Sequence, residues 1–300
     1  MKIIVWLVLC LIWGTTWFFI KIGLDDLPPI SFAAIRFIIA GGVVYLIIAV
    51  QKIPLPKTKS EWKLLAITGF LQFSVNYALV FWSELHISSG LAAVLQATIP
   101  AFGLFFAWLH LPNETIGWRK ISAIVLGIVG VAIIFIEQLQ VNSIMAFWGS
   151  LAIVLGACAA AEASILTKAY GGNIHPASLV FGQMICGIAP LVLYGLWVEG
   201  NPLGFNWTAK AVISVLYLSI VGTIAAFWLY YWLLAKIESS KAMTIALVTP
   251  LIAVLVGAIA LGEKIPLQTF LGGALILLSI GIVILRQRRQ TRFIHQTAEN

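Results

Sequence analysis

Ten runs of predominantly apolar residues, each about twenty residues long, follow one another along the chain with short breaks between them. They cover approximately residues 3–22, 30–50, 63–83, 89–110, 118–136, 145–166, 177–198, 209–234, 240–261 and 267–285. About 20 apolar residues in a helix cross the hydrocarbon core of a bilayer, and a helix satisfies its own backbone hydrogen bonds there. A transmembrane β-barrel would need short alternating strands, and none of these runs alternates. The expected fold class is therefore an all-α integral membrane protein with ten transmembrane helices. Charge agrees: Asp, Glu, Lys and Arg make up 10% of the 300 residues, against about 25% in soluble domains. So few charges cannot cover a water-facing surface.

The first run has Lys2 ahead of an apolar stretch, as a secretory signal does. It carries Trp6, Trp13 and Trp17 and has no small-x-small cleavage site, so a retained first helix is expected. Cys10, Cys158 and Cys186 all lie inside apolar runs. With no CxxC pair and no His/Cys cluster at ligand spacing, neither a metal nor a cofactor is expected.

The basic residues set direction. With the N-terminus in the cytoplasm, fourteen of the eighteen Lys and Arg fall on the cytoplasmic side, among them Lys2, Lys52, Lys57, Lys59, Arg119, Lys168, Lys236 and the run Arg286–Arg292. Lys21, Lys210 and Lys264 fall outside, and Arg36 lies within a span. That asymmetry is the positive-inside signature and puts both termini in the cytoplasm of a cell (inner or plasma) membrane. Basic segments between apolar runs suit anionic lipid headgroups. They do not interleave the aromatics that stack on bases, so no nucleic-acid partner is expected.

Residues 87–102, ISSGLAAVLQATIPAF, run parallel to residues 237–252, IESSKAMTIALVTPLI. Ile87 matches Ile237, Ser89 matches Ser239, Ala92 matches Ala242 and Pro100 matches Pro250. After a one-residue slip, ETIGWRKISAIVLGIVGVAII (114–134) matches EKIPLQTFLGGALILLSIGIV (263–283). Five spans per half is an odd number, so the second half enters from the opposite side. Two inverted halves, 1–138 and 143–286, with a basic cytoplasmic tail at 287–300, are the expectation, with a substrate site between them near the midplane.

WGTTWFFIKIGLDDLPPISFAAIRF (13–37) resembles the first two helices of EamA-type transporters in the drug/metabolite transporter superfamily. ELHISSGLAAVLQATIP (84–100), LGIVGV (126–131) and LGEKIPLQTFLGGALIL (261–277) resemble further signatures of that family. The resemblance implies ten helices in two inverted repeats and transport of small metabolites, often outward. It implies no particular substrate.

Hydrocarbon penalises polar side chains that face lipid, so polar residues inside spans mark a pathway or a helix contact. On span 3, Gln72, Asn76 and Ser83 share one face at helical spacing, bordered by Tyr77 and Glu84. Span 4 adds Gln96, span 7 Gln183, and span 8 Thr223, Tyr230 and Tyr231. Span 1 offers Trp13, Thr16 and Trp17, which lie too deep for an interfacial belt, so packing and cavity lining are both open for the tryptophans. Pro100 and Pro250 each remove a backbone hydrogen bond mid-span and are candidate conformational hinges. Small residues on span 6 (Gly149, Ala152, Gly156, Ala160) and span 5 (Ala123, Gly127, Gly130) read as packing faces. Glu162 sits near the cytoplasmic end of span 6, within reach of water or Lys168.

Arg36 is the odd letter, inside span 2. Two expectations stand for it: a structural guanidinium paired with Glu84, Asp25 or Asp26, or a cavity residue that grips a substrate carboxylate. The leading function is a secondary carrier exporting small organic metabolites, such as amino acids or amphiphilic drugs. An exchanger of phosphorylated or nucleotide-linked metabolites is the runner-up, which would want several cavity cations. A channel would show charge rings or a filter loop. An ATP-driven pump would show GxxxxGK[ST], and an intramembrane protease HExxH or paired aspartates within spans; the chain has none of these. A small-molecule substrate and the lipid bilayer are the expected partners, and the oligomeric state, a homodimer included, is open.

The loops at 84–89 and 137–145 should face outward. In a cysteine-free background, Asn142→Cys should react with an impermeant maleimide added to intact cells and Asn300→Cys should not. Labelling of Asn300→Cys from outside would overturn the orientation.

Overall fold

A computed structural model describes residues 1–111, 144–237, 239–243, 245–262 and 266–279, with residues 118, 121–122, 125–127, 129–130, 133 and 281–282. Most of the 137–145 loop, the proposed boundary between halves, Glu114 and Glu263, and the 287–300 tail lie outside these residues. Every regular element among the described residues is helical. The main ones are α1 (Lys2–Gly23), α2 (Pro29–Gln51), α3 (Lys59–Ser83), α4 (Ser89–His110), α5 (Ile144–Tyr170), α6 (Pro176–Glu199) and α7 (Ala209–Lys236). A short helix, Ser239–Met243, leads into α8 (Ile245–Leu261), and α9 is Leu267–Ser279. Among the described residues, α1 to α7 are each long and apolar enough to cross a membrane. Large side chains such as Leu46, Leu155, Leu193 and Ile259 are exposed on their outer faces, where lipid can meet them.

Local chemistry sets the ends. Pro29 opens α2 with its φ already helical, after extended Pro28, and the helix closes on left-handed Lys52 at φ 53°. Thr58 and Glu61 form a reciprocal capping box on α3. Thr208 caps α7 through the Ala211 N–H. Eleven residues into α3 the backbone widens into a π-helical stretch, Phe70–Asn76, and eleven residues into α7 it does so again at Ile220–Ala225. α4 is interrupted at Ala97–Thr98, so Pro100 stands in the first turn of its second segment, Ile99–His110, where proline is tolerated. Pro250 lies inside α8.

The helices pack in related pairs. α1 lies along α8 and α7, while α5 lies along α4 and α3. α2 runs along α6, with α3 also against α6 and α7 also against α2. Backbones touch where α3 meets α6. A Cβ on Gly69 would overlap the carbonyl of Gln183, and a Cβ on Gly187 would overlap the carbonyl of Gly69. Small residues permit this approach, which drives association where no hydrophobic effect exists between helices. Gly130 likewise meets the backbone of Gly272 on α9.

Two lysines cap helix ends in the same way. Lys21 Nζ donates to the carbonyls of Glu84 (2.5 Å) and Ile87 (2.9 Å), at and beyond the end of α3. Lys168 Nζ donates to the carbonyls of Leu234 (2.6 Å) and Ile237 (2.9 Å), at the end of α7. An ammonium there satisfies orphan carbonyls and complements the helix dipole. Lys168 is therefore directed to these carbonyls, and the partner of Glu162 is His110, at 2.8 Å, in place of the expected Lys168. The Glu199 carboxylate accepts from the N–H groups of Ile30 (3.0 Å) and Ser31 (2.6 Å) at the start of α2.

Gly69→Val and Gly187→Leu should each lower the melting temperature and the monodisperse yield sharply, by more than about 2 kcal/mol of stability. Gly42→Ala, with nothing within 4 Å of an added Cβ, should be neutral or slightly stabilising. Thermal unfolding in detergent checks both; a wild-type melting temperature for Gly69→Val would contradict the close approach.

Candidate functional site: a central cavity

A cavity of about 120 Å³ lies between α1, α3, α4, α5, α7 and α8. Its polar wall is built on the widened stretch of α3. Gln72 and Asn76 are buried there and face the cavity, with Tyr77 and Val80 just beyond. Gln96 Nε2 donates to Asn76 Oδ1 at 3.1 Å. Asn76 can approach α5 because residue 156 is glycine; a Cβ there would sit 3.0 Å from Asn76 Oδ1. The opposite wall is aromatic. The ring of Trp13 lies 5.6 Å from Phe227 and 5.2 Å from Tyr230, with Trp17 and Thr16 alongside it on α1. The Thr16 hydroxyl is tied to the Trp13 carbonyl at 2.8 Å, and Tyr230 donates to Ser164 Oγ at 3.3 Å. Two buried atoms of lining residues have no partner: the donor Trp13 Nε1 and the acceptor Gln96 Oε1. No acidic or basic side chain appears among the described lining residues.

Of the residues singled out in the sequence, the cavity brings together Trp13, Thr16, Trp17, Gln72, Asn76, Tyr77, Gln96 and Tyr230. Arg36, Glu84, Gln183 and Tyr231 lie elsewhere. Ser83 does not line the cavity: it follows Asn76 by seven residues, largely of regular helix, and stands one turn beyond Val80, the last α3 residue that lines it. Its hydroxyl donates to the Val80 carbonyl instead. Phe227, Ser164, Met243 and Thr249 line the cavity without having been singled out. The polar Ser164 and Thr249 carried a signal in their position within apolar spans; Phe227 and Met243 carried none. Ala160, expected to be a packing residue, also lines the cavity.

Gln183 and Tyr231 belong to a neighbouring, fully buried cluster. Gln183 Nε2 donates to Thr68 Oγ1 (2.8 Å) and Thr167 Oγ1 (2.9 Å), and the Tyr231 hydroxyl donates to Gln183 Oε1. α6 is thereby joined to α3, α5 and α7.

Arg36 is 1% exposed and sits behind Tyr77. Its Nε and Nη2 donate to Thr223 Oγ1 at 3.2 and 2.8 Å, and its Cζ lies 4.8 Å from the ring centre of Phe37, 4.7 Å from Tyr77 and 5.5 Å from Phe81. The pairings expected with Glu84, Asp25 or Asp26 are replaced by this set. Asp25 binds Lys210 at 2.6 Å, and Asp26 accepts from Asn206 and Thr208. The widened stretch of α7 turns Thr223 toward α2, and the Thr223 hydroxyl donates to the Leu218 carbonyl at 2.7 Å. Glu84 is buried at the end of α3.

A multi-pass helical assembly around a central amphipathic cavity, as the described residues form it, is an architecture that membrane transport proteins use. The sequence profile of the EamA-like transporter family matches residues 1–136 and again residues 147–285, and the chain belongs to that family. It is 27% identical over 266 residues to "Uncharacterized transporter YoaV" of Bacillus subtilis (strain 168), covering 89% of this chain and 90% of the relative. It is 26% identical over 297 residues to "Probable amino-acid metabolite efflux pump" of Escherichia coli (strain K12), covering 95% and 96%. A solved crystal structure superposes with a TM-score of 0.69 at 16% identity, covering 96% of this chain and 98% of that one. That likeness concerns the fold alone.

In a cysteine-free background, Thr16→Cys and Asn76→Cys should react with a small water-soluble thiol reagent, and Gln183→Cys should not. Unreactive Thr16→Cys and Asn76→Cys beside a reactive Gln183→Cys would reverse the assignment of cavity and core.

Proposed function

We propose that this transporter is a secondary carrier that exports small organic metabolites, of the size and polarity of amino acids or small amphiphilic drugs, by alternating access. The observation that carries the reading is a single cavity lined from both family-matched stretches: Trp13, Asn76 and Gln96 from one, Ser164, Phe227 and Thr249 from the other. In the proposed architecture, ten helices form two inverted five-helix repeats with both termini cytoplasmic. Four correspondences support the repeat. The capping residues Thr58 and Thr208 stand before helices that widen after the same number of residues. Lys21 and Lys168 bind carbonyls that are equivalent under the same alignment. The pairing of α1 with α8 has its counterpart in α5 with α4, and α1 with α7 in α5 with α3. The family profile itself matches twice.

Pro100 and Pro250 are the proposed hinge positions, at the break in α4 and within α8. Trp13, Thr16, Trp17, Gln72, Asn76, Tyr77, Gln96 and Tyr230 form the substrate wall in this reading. Gln183, Tyr231 and Glu84 support that wall from outside it. An exchanger of phosphorylated metabolites fits less well, because such ligands call for clustered basic donors and none lines the cavity among the described residues. The efflux activity named for the Escherichia coli relative agrees with outward transport.

Purified protein in proteoliposomes, loaded with unlabelled candidate metabolites and given a labelled trace outside, should show saturable counterflow. Asn76→Ala should reduce it at least about tenfold, in the range of a lost buried hydrogen bond. Flux that neither saturates nor exchanges would identify a channel.

A further inference from the structure

We propose that the molecule held in the cavity carries a carboxylate, and that the buried charge of Arg36 draws this carboxylate to the Tyr77 side. The proposal rests on reading the cavity as a carrier's substrate site.

The guanidinium of Arg36 keeps its proton in any protein setting. The groups around it carry no full charge: the Thr223 hydroxyl, shared by Nε and Nη2, the Tyr77 side chain, and the rings of Phe37 and Phe81. Nη1 is buried with no partner. No described acid makes an ion pair with it, the buried Glu84 at the end of α3 included. Asp25 and Asp26 hold Lys210, Asn206 and Thr208, Glu199 caps α2, and Glu162 pairs with His110. A buried cation without a contacting counter-ion is disfavoured, and its field extends through low-dielectric surroundings much farther than through water. Tyr77 links this cation to the cavity, since it both lines the cavity and lies 4.7 Å from Arg36 Cζ.

The cavity wall fits the same chemistry. Two lining side chains hold a spare donor and a spare acceptor, Trp13 Nε1 and Gln96 Oε1; both atoms are buried, so a carboxylate and an ammonium or hydroxyl reach them only as those side chains turn toward the cavity. The described lining residues include no acid that would repel an anion. At about 120 Å³ the space is smaller than an engineered cavity of about 150 Å³ that takes benzene, so the ligand is a compact molecule with a short apolar part.

The test uses the full-length protein in nanodiscs and four probes: valine, 3-methylbutanoate and valinamide, which are of similar bulk, and the larger O-phosphothreonine. Valine and 3-methylbutanoate should raise the melting temperature, and valinamide should need at least about tenfold more for the same shift. In Arg36→Gln and Arg36→Met, checked for monodispersity, the ratio of acid to amide should fall toward one. Should both variants misfold, the wild-type ratio decides alone. Equal stabilisation by valine and valinamide, tighter binding of O-phosphothreonine than of valine, or no stabilisation by either carboxylate would overturn the proposal. So would an unchanged ratio in a folded Arg36 variant. Counterflow separates this idea from the carrier reading. Binding of valine without exchange would end the carrier reading and leave the carboxylate preference standing, whereas exchange of valinamide as fast as valine would do the reverse.

Discussion

Four helices meet on one side chain. Gln183 on α6 reaches Thr68 on α3, Thr167 on α5 and Tyr231 on α7, and its amide is satisfied at both ends. Each such bond inside a membrane contributes only about 0.6 kcal/mol, up to about 2. An unmade bond in hydrocarbon costs several, so the cluster fixes relative position more than it adds stability. Beside it, Gly69 and Gly187 bring the backbones of α3 and α6 into contact, and Ser74 donates to the Gly187 carbonyl. α3, α5 and α7 also supply Gln72 and Asn76, Ala160 and Ser164, and Phe227 and Tyr230 to the cavity. The cavity wall is thus held in place by a buried junction next to it.

The two π-helical stretches convert this scaffold into a site. An added residue in one turn rotates the remainder of the helix and leaves backbone groups open to new partners. In α3 the stretch ends at Asn76, with Gln72 and Asn76 on the cavity and Tyr77 between the cavity and Arg36. In α7 it contains Thr223, which accepts from Arg36 and donates to the carbonyl five residues back. Arg36 therefore touches the products of both widened turns. One guanidinium relates the polar wall of one half to the helix break of the other.

The membrane spans were legible because hydrocarbon imposes a length and a polarity that only a long apolar run satisfies. The run expected at 30–50 became Pro29–Gln51, and 209–234 became Ala209–Lys236. Polar residues inside those runs announced that they face protein. They did not announce which protein surface they face. Gln72 and Gln183 look alike in sequence, yet one meets the cavity and the other the junction, since the difference arises from helices distant along the chain. The partner of Arg36 was illegible for the same reason: Thr223 lies 187 residues away. Proximity in sequence favoured Glu84, Asp25 and Asp26. The π-helical register was hidden as well, because it is a local distortion of the helix, and so was the end of the cavity, which Ser83 lies beyond.

The central claim is that two inverted halves open the cavity to one side at a time. Spin labels placed pairwise at Leu85 and Leu203, on exposed loops of the proposed external side, and at Lys57 and Lys236, exposed on the cytoplasmic side, report on the two ends separately. Distance distributions from pulsed electron–electron resonance in nanodiscs, with and without a transported ligand, should change in opposite senses, one pair separating as the other closes. Distances that stay fixed at both ends, or that widen together, would contradict alternating access through this cavity.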